Sequence, residues 1–294
     1  MGSQVHCRPV YPCLVVLFAV VLNWLAAAPS LARACVWKVT GPNGQVAYLG
    51  GSIHALRKSD YPLPDAYMRA FAASSRIAFE VDAKALRQSS DALLKEGQYR
   101  KGDSLRNHVD PRTYDYIRRL FGLMNVPEKS FAQYRPWFIV LMLEQASSPN
   151  VSHEIGVDQY FMNRAVKRSM PVVGLETVQE HARVFLGLTD RESEILLLTT
   201  FIPSRDTGGH EGMVKTWRRG DADALTAMLQ RSSADFPAFN ERLIDSRNRA
   251  WIPKIERFLQ SGQTYFVVVG AGHLGGRGGV PNLMRARGYR IEQL

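Results

Sequence analysis

Apolar and polar positions along the chain fall into short continuous hydrophobic runs separated by longer stretches of helical period. The first pair, Val36-Trp37-Lys38-Val39 and Val46-Ala47-Tyr48-Leu49, flanks Pro42-Asn43-Gly44. Asn-Gly between two β-prone runs predicts a tight hairpin. The second strand runs into Gly50-Gly51-Ser52-Ile53-His54, and a helix is predicted from Pro64 to Ala73, with proline in its first turn. Arg76 to Asp82 and Met170 to Leu175 read as short buried strands, the second ending at Glu176. Tyr265-Phe266-Val267-Val268-Val269 is a further one, running into Gly270-Ala271-Gly272-His273.

The remainder reads as helix. The spacing predicts helices between 84 and 149, including Trp137 to Glu144, and another from Gly156 to Arg168. Helices also fill 178 to 260, ending in a long one over Phe236 to Leu259 with Pro253 as a kink. A short helix from Pro281 to Arg287 and a strand from Tyr289 to Glu292 close the chain. Continuous apolar strands separated by helices indicate a sheet covered on both faces. The predicted class is α/β, a mostly buried sheet built from N- and C-terminal strand segments with a large helical insertion between them.

The first 34 residues stand apart. Arg8 precedes an almost wholly apolar stretch from Pro12 to Ala28, and Ala32-Arg33-Ala34 supplies small residues at the −3 and −1 positions of a cleavage site. That is the anatomy of a secretory signal, and the stretch is short against the roughly 20 apolar residues of a membrane span. The expectation is a signal peptide over 1–34 and one domain over 35–294, exported to the periplasm or cell envelope. Cleavage would leave Cys35 first and as the sole cysteine, so no internal disulfide is expected. Contact with a membrane is expected only through the signal or a lipid on Cys35, and Arg33 and Ala32 make a poor lipidation box.

Composition changes little. The 294 residues are 46% hydrophobic and 22% charged, ordinary for a globular protein. The formal net charge of +10 becomes +8 without Arg8 and Arg33. The basic residues are scattered and accompany no nucleic-acid motif, so a nucleic-acid partner is not expected. Nothing in the sequence fixes an oligomeric state.

The chemistry is expected where one device occurs twice. In Gly51-Ser52-Ile53-His54 and Gly270-Ala271-Gly272-His273 a buried strand reaches glycine and presents an imidazole three residues later. Groups at the carboxyl ends of strands in α/β sheets meet in the crevice where ligands bind. His54 and His273, with Glu80 at the end of a third strand, would suit a divalent metal such as Zn, Mn or Co. Free imidazoles could serve instead as acid and base. Glu176 is either a further ligand or general base, or a strand-end acid paired with an arginine. Asp158 lies one turn into a helix, where the dipole favours an acid in any case. Arg247-Asn248, mid-helix, could hold a substrate carboxylate or carbonyl.

Rival patterns are weaker. His153, His181 and His210 read as bystanders, and His153-Glu154 lacks a second histidine at zincin spacing. No Gly-x-Ser-x-Gly elbow is present. Gly270-Ala271-Gly272-His273-Leu274-Gly275 satisfies the dinucleotide fingerprint by letter. That fingerprint needs a helix opening within the motif, which the following glycines and Pro281 postpone.

These pieces together resemble the TraB/GumN (TraB/PrgY/GumN) family, related to the Tiki metalloproteases. The resemblance rests on Val36-Trp37-Lys38-Val39, Gly51-Ser52-Ile53-His54, Phe79-Glu80-Val81-Asp82 and Gly156-Val157-Asp158. It continues through Val173 to Thr177, Arg247-Asn248, Gly270 to Leu274 and Gly288-Tyr289, in order from about 36 to 294. It implies metal-dependent hydrolysis of a peptide or protein at His54, Glu80 and His273, with Glu80 or Glu176 moving the proton. Asp158, Arg247 and Asn248 would then contact substrate. The alternative expectation is a non-catalytic envelope protein that binds a peptide, metal or glycan. An accessory role in polysaccharide synthesis is suggested only by the family's name.

Overall fold

The computed structural model describes residues 33–82, 90–145, 155–201, 209–232, 234 and 237–294. The expected signal segment up to residue 32, and His153, lie outside them. Residues 33–294 form one compact unit, in which no described helix is long and apolar enough to cross a membrane.

Six strands form one mixed sheet: β1 (Val36–Thr40), β2 (Val46–Ser52), β3 (Arg76–Val81), β4 (Val172–Glu176), β5 (Tyr265–Gly270) and β6 (Arg290–Gln293), in the order β4-β3-β5-β2-β1-β6. The predicted hairpin is present, with Val36 opposite Gly50 and Thr40 opposite Val46. β6 adds antiparallel to β1. The four strands β4, β3, β5 and β2 are mutually parallel. Their carboxyl ends therefore lie along one edge, with Ser52 level with Gly270 and Val81 level with Glu176. β5, Val-rich and buried from Tyr265 to Val269, lies between β2 and β3. This places the two Gly-x-x-His turns on adjacent strands.

The intervening chain is helical: α1 (Asp65–Ala72), α2 (Ser90–Gly97), α3 (Pro111–Leu123), α4 (Pro136–Gln145), α5 (Val157–Lys167), α6 (Val178–Leu186), α7 (Asp190–Phe201), α8 (Gly209–Arg218) and α9 (Ala222–Ser232). The long helix expected over 236–259 is composite. A single turn at Pro237–Asn240 passes into a π-helical stretch at Glu241–Asp245 and then into α10 (Ser246–Gln260), which contains Pro253. A π turn inserts an extra residue and so re-aims the side chains beyond it, here Arg247 and Asn248. α11 (Val280–Ala286) leads into β6.

There are two apolar cores among the described residues. One packs the sheet between its helices, through side chains such as Leu49, Tyr67, Phe161, Trp217, Trp251 and Phe266. The other, built of Leu105, Ile117, Phe121, Phe131, Ile139 and Leu197 among others, belongs to α3, α4, α7 and their connections. Cys35 is wholly buried in the first, and burial, then Asp221, pushes its thiol up to about 12. A lipid on that sulfur would require it to leave the core.

His108 ties the second core together. Its Nδ1 and Nε2 are each 2.8 Å from a carboxylate, Asp190 and Asp103, and its ring stacks on Tyr99, itself capped by Arg135. Two carboxylates on one imidazole favour the doubly protonated ring. Burial alone would lower its pKa, but Asp190 and Asp103 raise it above the ordinary value. A histidine raised on folding contributes stability that is fully present below its unfolded pKa and lost as pH rises through its folded one. The melting-temperature gap between the wild type and His108→Gln is therefore expected to narrow as pH rises above the ordinary histidine pKa of about 6.5. A gap independent of pH would remove the charged clamp.

Candidate metal centre

β2 and β5 deliver the two histidines because the turns after them are fixed from below. Trp217 Nε1 donates to Gly51 O at 2.8 Å, the Tyr67 hydroxyl donates to the same carbonyl, and Gly51 N donates to Cys35 O at 2.7 Å. On the far side Val157 N donates to Ile53 O at 3.0 Å. Gly156 permits that approach, since a Cβ there would lie 2.0 Å from His54 O. Helix α5 thus begins against the His54 turn and puts Asp158 in reach of its ring.

The His54, Glu80 and His273 side chains converge on Gly270. A Cβ on that glycine would lie 3.3 Å from Glu80 Oε1, 3.5 Å from His273 Cδ2 and 3.8 Å from His54 Nε2. Gly270 N donates to Glu80 Oε1 at 2.7 Å, which pins the carboxylate. His273 Nε2 and Glu80 Oε1 are 3.9 Å apart, inside the roughly 4.2 Å that two metal bonds of about 2.1 Å can span.

Each imidazole is braced at Nδ1. His54 Nδ1 is 2.8 Å from Asp158 Oδ2. His273 Nδ1 is 2.6 Å from Asn248 Oδ1, and Asn248 Nδ2 donates to Gly278 O and His273 O, which fixes the amide's orientation. The Asn248 oxygen can only accept, so His273 carries its proton on Nδ1 and its lone pair on Nε2. A ring held in that tautomer by an oxygen acceptor is the usual arrangement behind a metal-bound histidine. His54 is exposed and His273 is buried, so the site opens to solvent on the His54–Asp158 side.

Arg247 occupies the middle of the constellation. It donates from Nε and Nη2 to both oxygens of Glu176 (3.2 and 2.5 Å), and from Nη2 to Glu80 Oε2 at 2.5 Å. Nη1 is 3.2 Å from His273 Nε2 and its guanidinium stacks over Trp251. His181 Nδ1 lies 2.8 Å from Glu176 Oε1. The donor atoms of Glu80, Glu176 and His181 lie within 4.8 Å of one another, a group that could hold a metal ion.

Burial pushes the Glu80 carboxyl up, but Arg247, then His273 and His54, more than offset this and hold it well below the usual carboxylate range. Glu176 is lowered in the same way, by His181 and Arg247 against burial. Burial pushes His273 down to about 4, with Glu80 opposing and Arg247 assisting. At neutral pH the site therefore holds two carboxylates, one guanidinium and a neutral His273.

His54, Glu80 and His273 stand at one end of the sheet, and the side chains expected to contact substrate are engaged within the protein. Arg247, expected to hold substrate, is buried and paired with two carboxylates. Asn248 is fully buried behind His273, so its partner is the imidazole. Asp158 supports His54, and Glu176 takes the arginine-paired option. His181, expected as a bystander, joins the site. The sequence signal lay in Glu176-Thr177-x-x-Glu180-His181, because the Thr177/Glu180 capping box fixes the first turn of α6 and turns His181 back toward Glu176. His210 stays outside, donating from Nε2 to Ala55 O at 2.8 Å.

Residues 35–293, nearly the whole described unit, match the TraB/PrgY/gumN family. The chain belongs to the TraB/PrgY/gumN family. Among its relatives are an uncharacterised protein of Treponema pallidum (strain Nichols), 22% identical over 96% of this chain and 91% of that one. The uncharacterised protein YbaP of Escherichia coli (strain K12) is 25% identical over 84% of this chain and 90% of its own. Metalloprotease TIKI2 of Danio rerio is 24% identical over 87% of this chain, which spans 60% of that protein. Within this TraB/PrgY/gumN chain, the paired turns and Glu80 form the edge on which the site is built.

Proposed function

We propose that the protein is a divalent-metal-dependent hydrolase acting on peptide bonds, with His54, Glu80 and His273 as metal ligands. The observation that carries this is the pair of imidazoles converging with a carboxylate on Gly270, each braced at Nδ1 by an oxygen. The similarity to a protein named as a metalloprotease supports the reaction class. The donor set fits zinc, manganese or cobalt, and Glu80 also belongs to a second group, with Glu176 and His181, whose donor atoms lie within 4.8 Å of one another.

A metal bound at these residues would lower the pKa of a water or polarise a carbonyl. The chain's own groups do the rest. Gly270 N holds Glu80 Oε1, and Asp158 and Asn248 hold the two rings. Because His273 Nε2 cannot serve a metal and Arg247 together, holding a metal there would require Nη1 to give up that contact, with Arg247 keeping its bonds to Glu176. With Nδ1–H donating to Glu176, His181 presents Nε2 as a proton acceptor, on a side chain that is 31% exposed. Glu176 holds that tautomer and balances the charge when the ring is protonated. The apolar stretch at Pro12–Ala28 supports an exported protein of the periplasm or cell envelope.

One observation favours a second reading. Arg247 pairs with both Glu80 and Glu176, an arrangement that serves equally in a non-catalytic binding protein. Metal analysis separates the two. Purified protein reconstituted with Zn, Mn or Co is expected to retain about one ion per chain and to cleave members of a peptide library. His54→Ala and Glu80→Gln are expected to lower metal affinity at least about tenfold, since each removes a ligand. Protein that binds none of the three ions, or binds them equally well in both variants, would sink the hydrolase.

A further inference from the structure

A cavity of about 640 Å³ lies beside α5, between that helix, the end of α1 and the loop after β2. Four cations line it, Lys58, Arg164, Lys167 and Arg168, and among the described residues no acid does. None of the four is in an ion pair among the described residues, whereas Arg247, Arg249 and Arg287 elsewhere are each paired with glutamate. Two of the guanidinium groups are held flat on rings: Arg164 lies 4.6 Å over Tyr160 and Arg168 lies 4.9 Å over Phe71. Such a ring fixes a guanidinium plane and leaves N–H groups at its edge for a carboxylate; Arg168 spends Nη1 on Phe71 O at 3.5 Å and keeps its other N–H groups. Tyr61 also lines the cavity, donating from its hydroxyl to Ile155 O at 2.7 Å. Burial, then Tyr160 and Asp158, pushes its phenol up to about 12, so it adds no negative charge.

The position of the cavity relates it to the metal centre. Its wall is the helix whose first turn carries Asp158, the brace of exposed His54, and it includes Ile155, next to the Gly156 contact with His54. At about 1.5 Å per residue, Arg164 and Lys167 lie roughly 9 and 13 Å along α5 from Asp158. An extended peptide covers that distance in about three to four residues at about 3.3 Å each.

We propose that this pocket is a substrate subsite that takes an acidic side chain of a peptide, three to four residues from the bond held at the metal centre. This rests on the peptide hydrolase reading above. It adds a sequence preference that the metal ligands cannot supply, since none of them distinguishes one side chain from another at that distance. The four exposed cations give the cavity a positive field that favours an acidic over a neutral side chain.

The test uses the full folded chain and fluorescein-labelled heptapeptides that differ only in Glu or Gln at the third or fourth position from the scissile bond. Binding is read by anisotropy in the Glu80→Gln background, so that no turnover intervenes. The Glu peptide is expected to bind about tenfold tighter than the Gln peptide, a factor that two exposed charge-assisted contacts can supply. The double variant Arg164→Gln/Arg168→Gln, with melting temperature checked, is expected to erase that difference, while Arg257→Gln on α10 leaves it intact. Equal binding of the two peptides, an equal loss in Arg257→Gln, or displacement of the Glu peptide by equimolar inorganic phosphate would overturn the subsite. Cleavage of both peptides at one rate by the wild type would also overturn it while leaving the hydrolase standing. Glu-selective binding without any cleavage would leave the subsite standing and remove the hydrolase.

Discussion

Replacing Arg247 with methionine is expected to destabilise the metal-free protein by about 3 to 5 kcal/mol, because it strands two buried carboxylates without their shared cation. For a chain of this size that corresponds to a fall in melting temperature on the order of 10 °C. Methionine keeps much of the packing against Trp251, so the loss reports charge rather than volume. The sign of the pH dependence comes from Glu80 and Glu176. Both are lowered from 4.5 in the folded protein. A carboxylate lowered on folding contributes stability present above its unfolded pKa and lost as pH falls through its folded one. The gap between wild type and variant should therefore be full at neutral pH and shrink below about pH 4.5. Zn, Mn or Co at about a hundred times its dissociation constant should return about 2.7 kcal/mol to the variant. It should also bind the variant more tightly than the wild type, since no guanidinium has to leave His273. Thermal melts with and without metal test both points, and a variant that melts like the wild type in metal-free buffer would show that Arg247 is not the site's counter-ion.

The second large effect is expected behind the histidines. Asn248→Ala and Asp158→Ala should each weaken metal binding by about 10- to 100-fold, the usual consequence of removing the acceptor that orients a ligating imidazole. The two variants should differ in stability. Asn248 is fully buried, and losing it leaves the His273 Nδ1–H and the Gly278 carbonyl without that partner, at a cost of about 1 to 3 kcal/mol for each unsatisfied group. Asp158 braces a ring that is 62% exposed, where water can replace it, so its loss should show in metal affinity and barely in melting temperature. Metal titration alongside thermal melts separates the roles. A folded Asn248→Ala protein with unchanged affinity would make Asn248 a structural residue only.

The sheet edge was legible in the sequence because strand ends announce themselves. An apolar run that stops at Gly-x-x-His, at Glu80-Val81-Asp82 or at Glu176 marks both the element and the residue delivered from it. Parallel strands then bring such ends together whatever lies between them. The helical residues were legible as residues but not in their roles. Arg247 meets Glu176 across 71 positions and Glu80 across 167, and no local pattern encodes which carboxylates a mid-helix arginine will reach. The π turn before it, which sets that direction, also has no sequence signal of the strength of Asn-Gly. His181 failed for a different reason: its capping box was readable, but the direction of a helix leaving β4 depends on the sheet already being assembled.

The second apolar core has a consequence for how such a protein can change. Leu105, Ile117, Phe121, Phe131, Ile139 and Leu197 pack among themselves, while every side chain proposed to meet the metal stands on or beside the strand-end core. The first group can therefore be treated as a cassette. More readily than α4, whose Trp137 stacks on Phe185 of α6, the helix that carries His181, helix α3 is expected to tolerate a change of length. An engineer wishing to graft a new recognition surface would cut there, and leave the ligands untouched.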